Sequence, residues 1–252
     1  MPFTFSHPAA AFPLLALPQR WRSATGLIIG SMTPDFEKFI RMSIHDPHSH
    51  TWQSIFYFNI PMGVLLAFVF HWLVRDAFIA HSPVFVRQRF GRFMAFEWGA
   101  YFKKHYAVFL FSLFLGIVSH LVWDSFTHKE GRGVRLMPFL NTKLTGSEDP
   151  LYLFEVMQMV SSAVGVALIL YFILTLKKRP LALRPSALGV FLYWAGIGVV
   201  ALVVFMAKTQ VGDGIRLHDL LDTVITSISC GLISLVLVSA FFKTRLSTYL
   251  KN

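Results

Sequence analysis

The sequence is almost devoid of cysteine, because Cys230 is the single example among 252 residues. A lone cysteine excludes an internal disulfide, and it excludes a zinc site built from several thiolates. Any metal ion bound by this chain must therefore be held by histidine and carboxylate side chains. Several motifs of catalysis and nucleotide binding are absent too, namely the P-loop, the dinucleotide fingerprint, GxSxG and HExxH.

Charge is also scarce, since Asp, Glu, Lys and Arg make up only 14% of the residues whereas hydrophobic residues make up 55%. A soluble domain of this length needs a charged surface that this composition does not supply. The composition therefore predicts an all-α, polytopic transmembrane helix bundle that forms one membrane domain over residues 1–252. The net charge of +10 is explained by Lys and Arg facing lipid headgroups. No pattern for nucleic-acid binding accompanies this charge.

Apolar segments long enough to cross a bilayer, at about 20 residues per crossing, occur five times along the chain. They cover residues 54–74, 105–125, 153–176, 186–207 and 223–242. Two shorter apolar stretches, Ala9–Leu17 and Ala24–Met32, precede them and are predicted to be interfacial or re-entrant helices. The predicted domain thus has three parts: an N-terminal segment, 1–53; the first three spans, 54–176; and the last two spans with the tail, 177–252.

The distribution of positive charge predicts the orientation in the membrane. Residues 75–104, 177–185 and those after Phe242 are rich in Lys and Arg and poor in acids. These segments are predicted to be cytoplasmic, which places the C-terminus in the cytoplasm. The N-terminus and the loops after the second and fourth predicted spans then lie at the outer face of a cytoplasmic (inner) membrane.

Three further segments have predicted structural roles. The small residues of Ala195–Gly198 are predicted to let the fourth span pack closely against a neighbouring helix. The segment Val84–Lys104 mixes arginines with aromatics at roughly helical spacing, which predicts an amphipathic helix on the headgroups. Glu148 and Asp149 are predicted to belong to a turn and N-cap that precede the third span.

The polar segment SHLVWDSFTH, Ser119–His128, ends the second predicted span. His120, Asp124 and His128 are four residues apart, and each step rotates by about 40° and rises roughly 6 Å, so they share one face. His120 precedes the interfacial Trp123, where an ionisable residue is costly unless it is paired or buried, and this favours metal ligation. Because His120 and His128 are roughly 12 Å apart along the axis, either the helix ends before His128 or Asp124 bridges two ions.

Other candidate ligands lie before the first predicted span, on the same predicted side of the membrane. They are His7 in FTFSHPAA, Asp35 in SMTPDFEKF, and His48 or His50 in DPHSHTW. Thr33 is predicted to cap a helix that starts with Pro34, which would fix Asp35 in its first turn.

The predicted metal ligands are His7, Asp35, His50, His120, Asp124 and His128. Nitrogen and oxygen ligands without thiolate suit zinc first, with manganese or iron as alternatives. Six ligands are more than one zinc needs, and they fit a site for two ions.

These motifs, in their order, resemble those of an uncharacterised bacterial family of integral membrane proteins. More distantly, they resemble YdjM-like membrane-bound metal-dependent hydrolases. The resemblance rests on MPFTFSHPAA, GSMTPDFEKF, SHT and SHLVWDSFTH, and it covers roughly the first 160 residues. The residues that match the shared pattern are His7, Asp35, His50, His120 and Asp124, and His128 extends it. The resemblance implies a bound metal and hydrolytic activity.

The function predicted from these features is that of a metal-dependent phosphoesterase or related hydrolase at the outer face. Its substrate would be a membrane lipid or a lipid-linked phosphate. Asp35 or Asp124 would serve as general base where it is not fully committed to the metal, and Gln158, Arg132 and Arg135 would contact the phosphate. The alternatives are a divalent-metal transporter or carrier and a non-catalytic protein whose structural metal site has every position filled by protein.

Overall fold

The computed structural model describes residues 3–94, 96–146, 150–180, 185–211 and 220–249, with side chains up to residue 243. Glu148 and Asp149, with their predicted role in a cap, lie outside the described residues. Nearly all regular structure in the described segments is helical, and an isolated bridge between Lys143 and Tyr152 is the extended pairing found there. The predicted all-α class is confirmed.

The described residues include five helices that are long and apolar enough to cross a membrane. In chain order, these are the first span Ile55–His81, the second span Trp98–Thr127, the third span Leu153–Thr175, the fourth span Ala187–Thr209 and the fifth span Leu220–Lys243. Each of them overlaps one of the predicted apolar segments. The prediction of a polytopic bundle with about five spans is therefore confirmed.

The second span begins earlier than predicted and is kinked at its predicted start. The helix runs from Trp98, and His105 has non-helical dihedral angles of φ −128° and ψ 24°. The predicted amphipathic helix over residues 84–104 is therefore wrong, because only Val84–Phe90 forms a separate α-helix there. Trp98 is buried and stacks on His71 with ring centroids 4.4 Å apart. This packing places Trp98 in the protein interior instead of on a headgroup surface.

The chain divides into two compact units. The first unit contains Met1–Phe36, Pro47–Val64 and Phe102–Thr175, and the second contains Glu37–Asp46, Leu65–Tyr101 and Leu176–Asn252. All six predicted metal ligands belong to the first unit. The single domain over residues 1–252, with its three parts, stays a prediction.

In the first unit, an N-terminal 3₁₀-helix, Thr4–Ala16, packs against the third span. It is long for a 3₁₀-helix, and it contains two prolines, which lack the backbone donor that an α-helix needs. The third span approaches closely at Gly165, where an added Cβ would lie 2.9 Å from the carbonyl oxygen of Ser6. A hydrogen bond of 3.0 Å from the Phe3 amide to Ser162 Oγ fixes the start of the helix.

A second close approach joins the short helix Ala24–Gly30 to the second span. A Cβ added to Gly116 would lie 2.5 Å from the Leu27 carbonyl oxygen, so only glycine fits at this crossing. A Cβ added to Gly26 would likewise lie 2.7 Å from a backbone oxygen of the second span. Small residues let helix backbones approach in this way. The crossing brings Ser31, which directly follows the short helix, against the second span.

In the second unit, the fourth and fifth spans pack around Tyr193, whose hydroxyl is 2.8 Å from Ser239 Oγ. The close packing predicted for Ala195–Gly198 is not found at its glycines. A Cβ added to Gly196 would be 3.5 Å from Val238, an ordinary contact, and Gly198 faces open space. Glycine is therefore required at the crossing in the first unit and not in the fourth span.

Candidate metal centre

Five side chains from four separate segments converge in the first unit: His7, Asp35, His50, His120 and Asp124. His7 lies in the N-terminal 3₁₀-helix, and Asp35 ends the short turn Thr33–Asp35. His50 lies in the turn before the first span, and the other two lie one turn apart in the second span. They form two overlapping groups, His7–Asp35–His120 and His50–His120–Asp124, in each of which the potential ligand atoms lie within 4.8 Å of one another.

The distances between the facing atoms match those between ligands of one ion. His50 Nε2 is 3.3 Å from His120 Nε2 and 3.5 Å from Asp124 Oδ2. His120 Nε2 is 3.3 Å from Asp124 Oδ2, and His7 Nε2 is 3.1 Å from Asp124 Oδ1. Ligands bound to tetrahedral zinc at about 2.0–2.1 Å are about 3.3 Å apart. The cluster therefore has the dimensions of a metal site.

The tautomers of two histidines also fit metal binding. His120 Nδ1 is 2.7 Å from the Ser31 carbonyl oxygen, and His7 Nδ1 is 3.3 Å from that of Thr4. A carbonyl only accepts, so each Nδ1 carries the proton, and in a neutral ring Nε2 then has a lone pair. Both lone pairs face the cluster, where carboxylate oxygens lie, and a cation bound between them would remove the repulsion. Histidines that bind metals commonly donate their other N–H to a carbonyl in this way.

The two carboxylates are buried, and they are oriented by their neighbours. Asp35 accepts a hydrogen bond of 2.6 Å from Thr4 Oγ1 at Oδ2, while its Oδ1 lies 3.5 Å from His50 Nε2. Asp124 turns Oδ1 towards His7 and Oδ2 towards the other imidazoles. Two buried negative charges require compensation. One divalent cation would balance them and leave the buried centre neutral.

The N-cap predicted for the Asp35 segment is wrong. No side chain caps the turn Thr33–Asp35, and the Thr33 hydroxyl donates instead to the Ile29 carbonyl at 2.7 Å. Threonine commonly bonds to the carbonyl four residues earlier when it follows a helical turn. Asp35 is therefore placed by its bond to Thr4 and by the preceding helix, without a threonine cap.

His128 lies at the edge of the cluster. The second span ends at Thr127, so the first of the two expected outcomes, a helix that ends before His128, is the one observed. The ring folds back to place Nδ1 3.0 Å from the Asp124 carbonyl oxygen and 3.8 Å from Asp124 Oδ2. His128 belongs to neither ligand group of the described residues. Of the two neighbouring histidines left open by the sequence, His50 lies in the cluster, and His48 is exposed.

The three residues predicted to bind a phosphate make no hydrogen bond to the five ligands within the described segments. Arg132 and Arg135 are exposed on a short helix, and Arg135 donates to the Glu130 carbonyl at 2.9 Å. Gln158, on the third span, has a buried Nε2 atom without a hydrogen-bond partner among the described residues. Their role in substrate binding stays a prediction.

Three residues that orient the ligands were missed by the sequence analysis. Ser31 and Thr4 act on histidines through their carbonyls, for which a side-chain pattern gives no signal. Asn59 is fully buried in the first span and donates to the Ser49 carbonyl at 2.9 Å, which holds the turn that carries His50. An asparagine inside an apolar span was a usable signal, since buried polar groups in membranes need partners.

The comparisons with known proteins give one match. Residues 1–240 match the family described as Domain of unknown function (DUF4184). No match was found among curated proteins or among solved structures. The matched range includes all five clustered residues and most of the five spans, and the resemblance to YdjM-like hydrolases stays a prediction. The chain therefore belongs to the DUF4184 family, which confirms the predicted membership of an uncharacterised family.

Proposed function

We propose that this protein is a membrane-embedded, metal-dependent hydrolase, and specifically a phosphoesterase acting on a lipid-linked phosphate at the outer face of the cytoplasmic membrane. The observation that carries the proposal is the cluster of three imidazoles and two carboxylates described above. Nitrogen and oxygen ligands of this kind suit zinc, which we propose first, and also manganese or iron.

The proposed centre holds one ion instead of the two considered from the sequence. Both ligand groups include His120. Its Nδ1 is bonded to the Ser31 carbonyl, so only Nε2 faces the cluster, and one nitrogen binds one ion. The two aspartates supply the charge that balances a single divalent cation. His7, Asp35, His50, His120 and Asp124 would hold that ion.

The bound ion would polarise a phosphoryl oxygen and activate a water molecule for attack. The accessible side of the centre is proposed to lie at His50 and His128, whose side chains are 22% and 35% exposed, whereas that of Asp124 is 9% exposed. Asp35 or Asp124 would take the proton of the attacking water as its oxygen bonds to phosphorus. The bond from phosphorus to the lipid oxygen would break, and that oxygen would take up the proton and leave as the lipid alcohol.

A lipid-linked substrate is favoured by the position of the cluster at the ends of two spans. His50 precedes the first span by five residues, and His120 lies seven residues, or roughly 10 Å, before the end of the second span. Exposed aromatic side chains, Trp52, Phe56 and Tyr57, follow His50 directly. Aromatic residues of this kind are enriched at the level of lipid headgroups. Arg132, Arg135 and Gln158 are proposed to contact the phosphate.

A structural metal site is the second candidate, and the burial of four of the five ligand residues favours it. A structural site leaves no position for water, whereas a catalytic site keeps one open. A transporter is less well supported, because the five ligands gather near the ends of the spans and do not form a path along them.

The test uses the full-length protein, purified in detergent and loaded with zinc or manganese. Release of inorganic phosphate is measured from phosphatidic acid and from a polyprenyl phosphate in mixed micelles. The proposal predicts turnover that is lost in His120→Ala and retained in His48→Ala, the matched control. Bound metal without turnover of either lipid contradicts the phosphoesterase and leaves the structural site.

A further inference from the structure

We infer that Thr4 is a positioning residue that sets two metal ligands at once, Asp35 through its hydroxyl and His7 through its carbonyl. The inference rests on the metal centre of the proposed function. It goes further because it assigns control of that centre to a residue that binds no metal. It also connects the centre to the third span, which supplies none of the five ligands.

The hydroxyl of Thr4 makes a strong hydrogen bond to Asp35. Thr4 is buried, and its Oγ1 donates to Asp35 Oδ2 at 2.6 Å. Hydrogen bonds from hydroxyls to carboxylates at about 2.5–2.7 Å are among the stronger ones in proteins. With Oδ2 held, the carboxylate plane is fixed and Oδ1 is turned towards His50 Nε2 at 3.5 Å. Thr4 thereby makes Asp35 a ligand through one defined oxygen.

The backbone carbonyl of Thr4 fixes the orientation of the His7 ring. Its Nδ1 lies 3.3 Å from the Thr4 carbonyl oxygen, which makes Nδ1 the donor and leaves Nε2 for the cluster. Nε2 then lies 3.1 Å from Asp124 Oδ1, and the ring stacks on His120 with centroids 3.9 Å apart. A rotation of the His7 ring would lose all three contacts.

Thr4 is itself held by contacts with the third span. The preceding residue, Phe3, donates its amide to Ser162 Oγ at 3.0 Å and accepts a bond of 2.6 Å from Ser6 Oγ. Ser6 lies against Gly165, where a side chain would collide with its carbonyl. Docking of the N-terminal 3₁₀-helix on the third span therefore determines where Thr4 places Asp35 and His7.

The experiment separates the hydroxyl from the rest of the residue. Thr4→Val keeps the shape and the carbonyl but removes the hydroxyl, and Thr4→Ser keeps the hydroxyl. Zinc affinity of the full-length protein in detergent is measured by competition with a chelating dye. We expect Thr4→Val to weaken binding about 10–100-fold, the usual cost of losing a group that orients a metal ligand. Thr4→Ser should stay close to the unaltered protein.

A matched control is Thr226→Val in the second unit. This substitution also removes a buried threonine hydroxyl, but that hydroxyl donates to the Met42 backbone carbonyl and not to a predicted metal ligand. It should leave zinc affinity unchanged. In an Asp35→Ala background, Thr4→Val should cause no further loss, because its effect passes through Asp35. Should Thr4→Val fail to fold, Thr4→Cys replaces it, and its weakly donating thiol should give an intermediate loss.

Unchanged affinity in Thr4→Val, or in Thr4→Cys where it replaces Thr4→Val, overturns the inference. So does a loss in Thr4→Ser equal to that in Thr4→Val, or a further loss in the Asp35→Ala background. A failure of the proposed function gives a different result, because the unaltered protein then binds no zinc or binds it without turnover.

Discussion

The two units of the molecule treat buried charge in different ways. In the second unit, two buried cationic side chains are paired with carboxylates, Arg75 with Asp76 at 2.6 Å and Lys38 with Asp46 at 3.0 Å. In the first unit, the charged partners of Asp124 are all histidines. Pairs of opposite fixed charges are complete without a further component. A carboxylate surrounded by imidazole lone pairs would be completed by a cation.

Arg75 illustrates the self-sufficient arrangement. Its guanidinium donates twice to Asp76, once each to the Phe96 and Met94 carbonyls, and contacts His71 Nδ1 at 3.1 Å. Every nitrogen of this buried group has an acceptor, which is the condition for a stable buried ion. The comparison indicates that a buried charged side chain marks a functional site only where the surrounding protein groups do not balance its charge.

The largest expected effect separates the two kinds of aspartate. Asp124→Asn should abolish zinc binding, because it removes one negative charge and replaces one of the two facing oxygens with an amide NH2 group, which cannot bind a cation. Loss of affinity beyond 100-fold is expected in the chelator competition. Asp76→Asn is the control and should keep full zinc binding, since Asp76 faces a guanidinium. Equal loss in both variants would remove the distinction between the units.

Removal of the Arg75 side chain should lower the free energy of unfolding without changing the zinc affinity. Arg75→Ala removes a buried guanidinium from Asp76, whose side chain is 27% exposed, and from two backbone carbonyls. Breaking a buried pair costs about 3–5 kcal/mol, and the partial exposure of Asp76 makes that the upper end of the expected loss. Unfolding in detergent, followed by circular dichroism, should show this loss. The zinc affinity of the remaining folded protein should equal that of the unaltered chain. A parallel fall in zinc affinity would contradict the account.

A smaller effect is expected at the helix crossing of the first unit. Gly116→Ala forces a methyl group against the Leu27 carbonyl, and overpacking of this kind costs about 1–3 kcal/mol. Because the crossing positions Ser31, zinc affinity should fall as well. Gly198→Ala, at a glycine that faces open space, should change neither property. Unchanged zinc binding in Gly116→Ala would show that the crossing does not position His120.

The smallest effect concerns the exposed ligand. His50 has the most exposed side chain of the five and lies in a turn, so His50→Ala should weaken zinc binding by about tenfold, the lower end of the range for a disturbed metal site. His48→Ala, two residues away, should leave it unchanged. Zinc content after dialysis measures both, and a loss in His48→Ala alone would place the wrong histidine in the centre.

The sequence predicts the spans well because hydropathy is a local property and needs no tertiary information. His120 and Asp124 are likewise local, since a spacing of four places both on one helical face. The order of motifs led to His7, Asp35 and His50, which the structure brings to the same place. What the sequence does not reveal depends on packing between distant segments. The contact of Thr4 with Asp35 and the carbonyl of Ser31 at His120 are examples.

The predictions that differ from the structure also concern packing between distant segments. Ala195–Gly198 and the pair Gly26 and Gly30 are both patterns of small residues. Only the tertiary arrangement decides at which of them two helix backbones approach closely. The prediction of one amphipathic helix over residues 84–104 was wrong because Trp98 is buried against His71, which the pattern of charged and aromatic residues in this segment does not reveal. For His128 the spacing left two outcomes open, and the structure has the first of them: the helix ends at Thr127 and the ring folds back towards Asp124.

The central claim is that the first unit binds one divalent cation through five side chains. The most direct measurement is the metal content of the purified full-length protein, determined by mass spectrometry after equilibration with zinc and removal of the excess. The account predicts one zinc per chain, and none in a variant with His120 and Asp124 both changed to Ala. A protein that retains no zinc, or a double variant that retains as much as the unaltered chain, would contradict it.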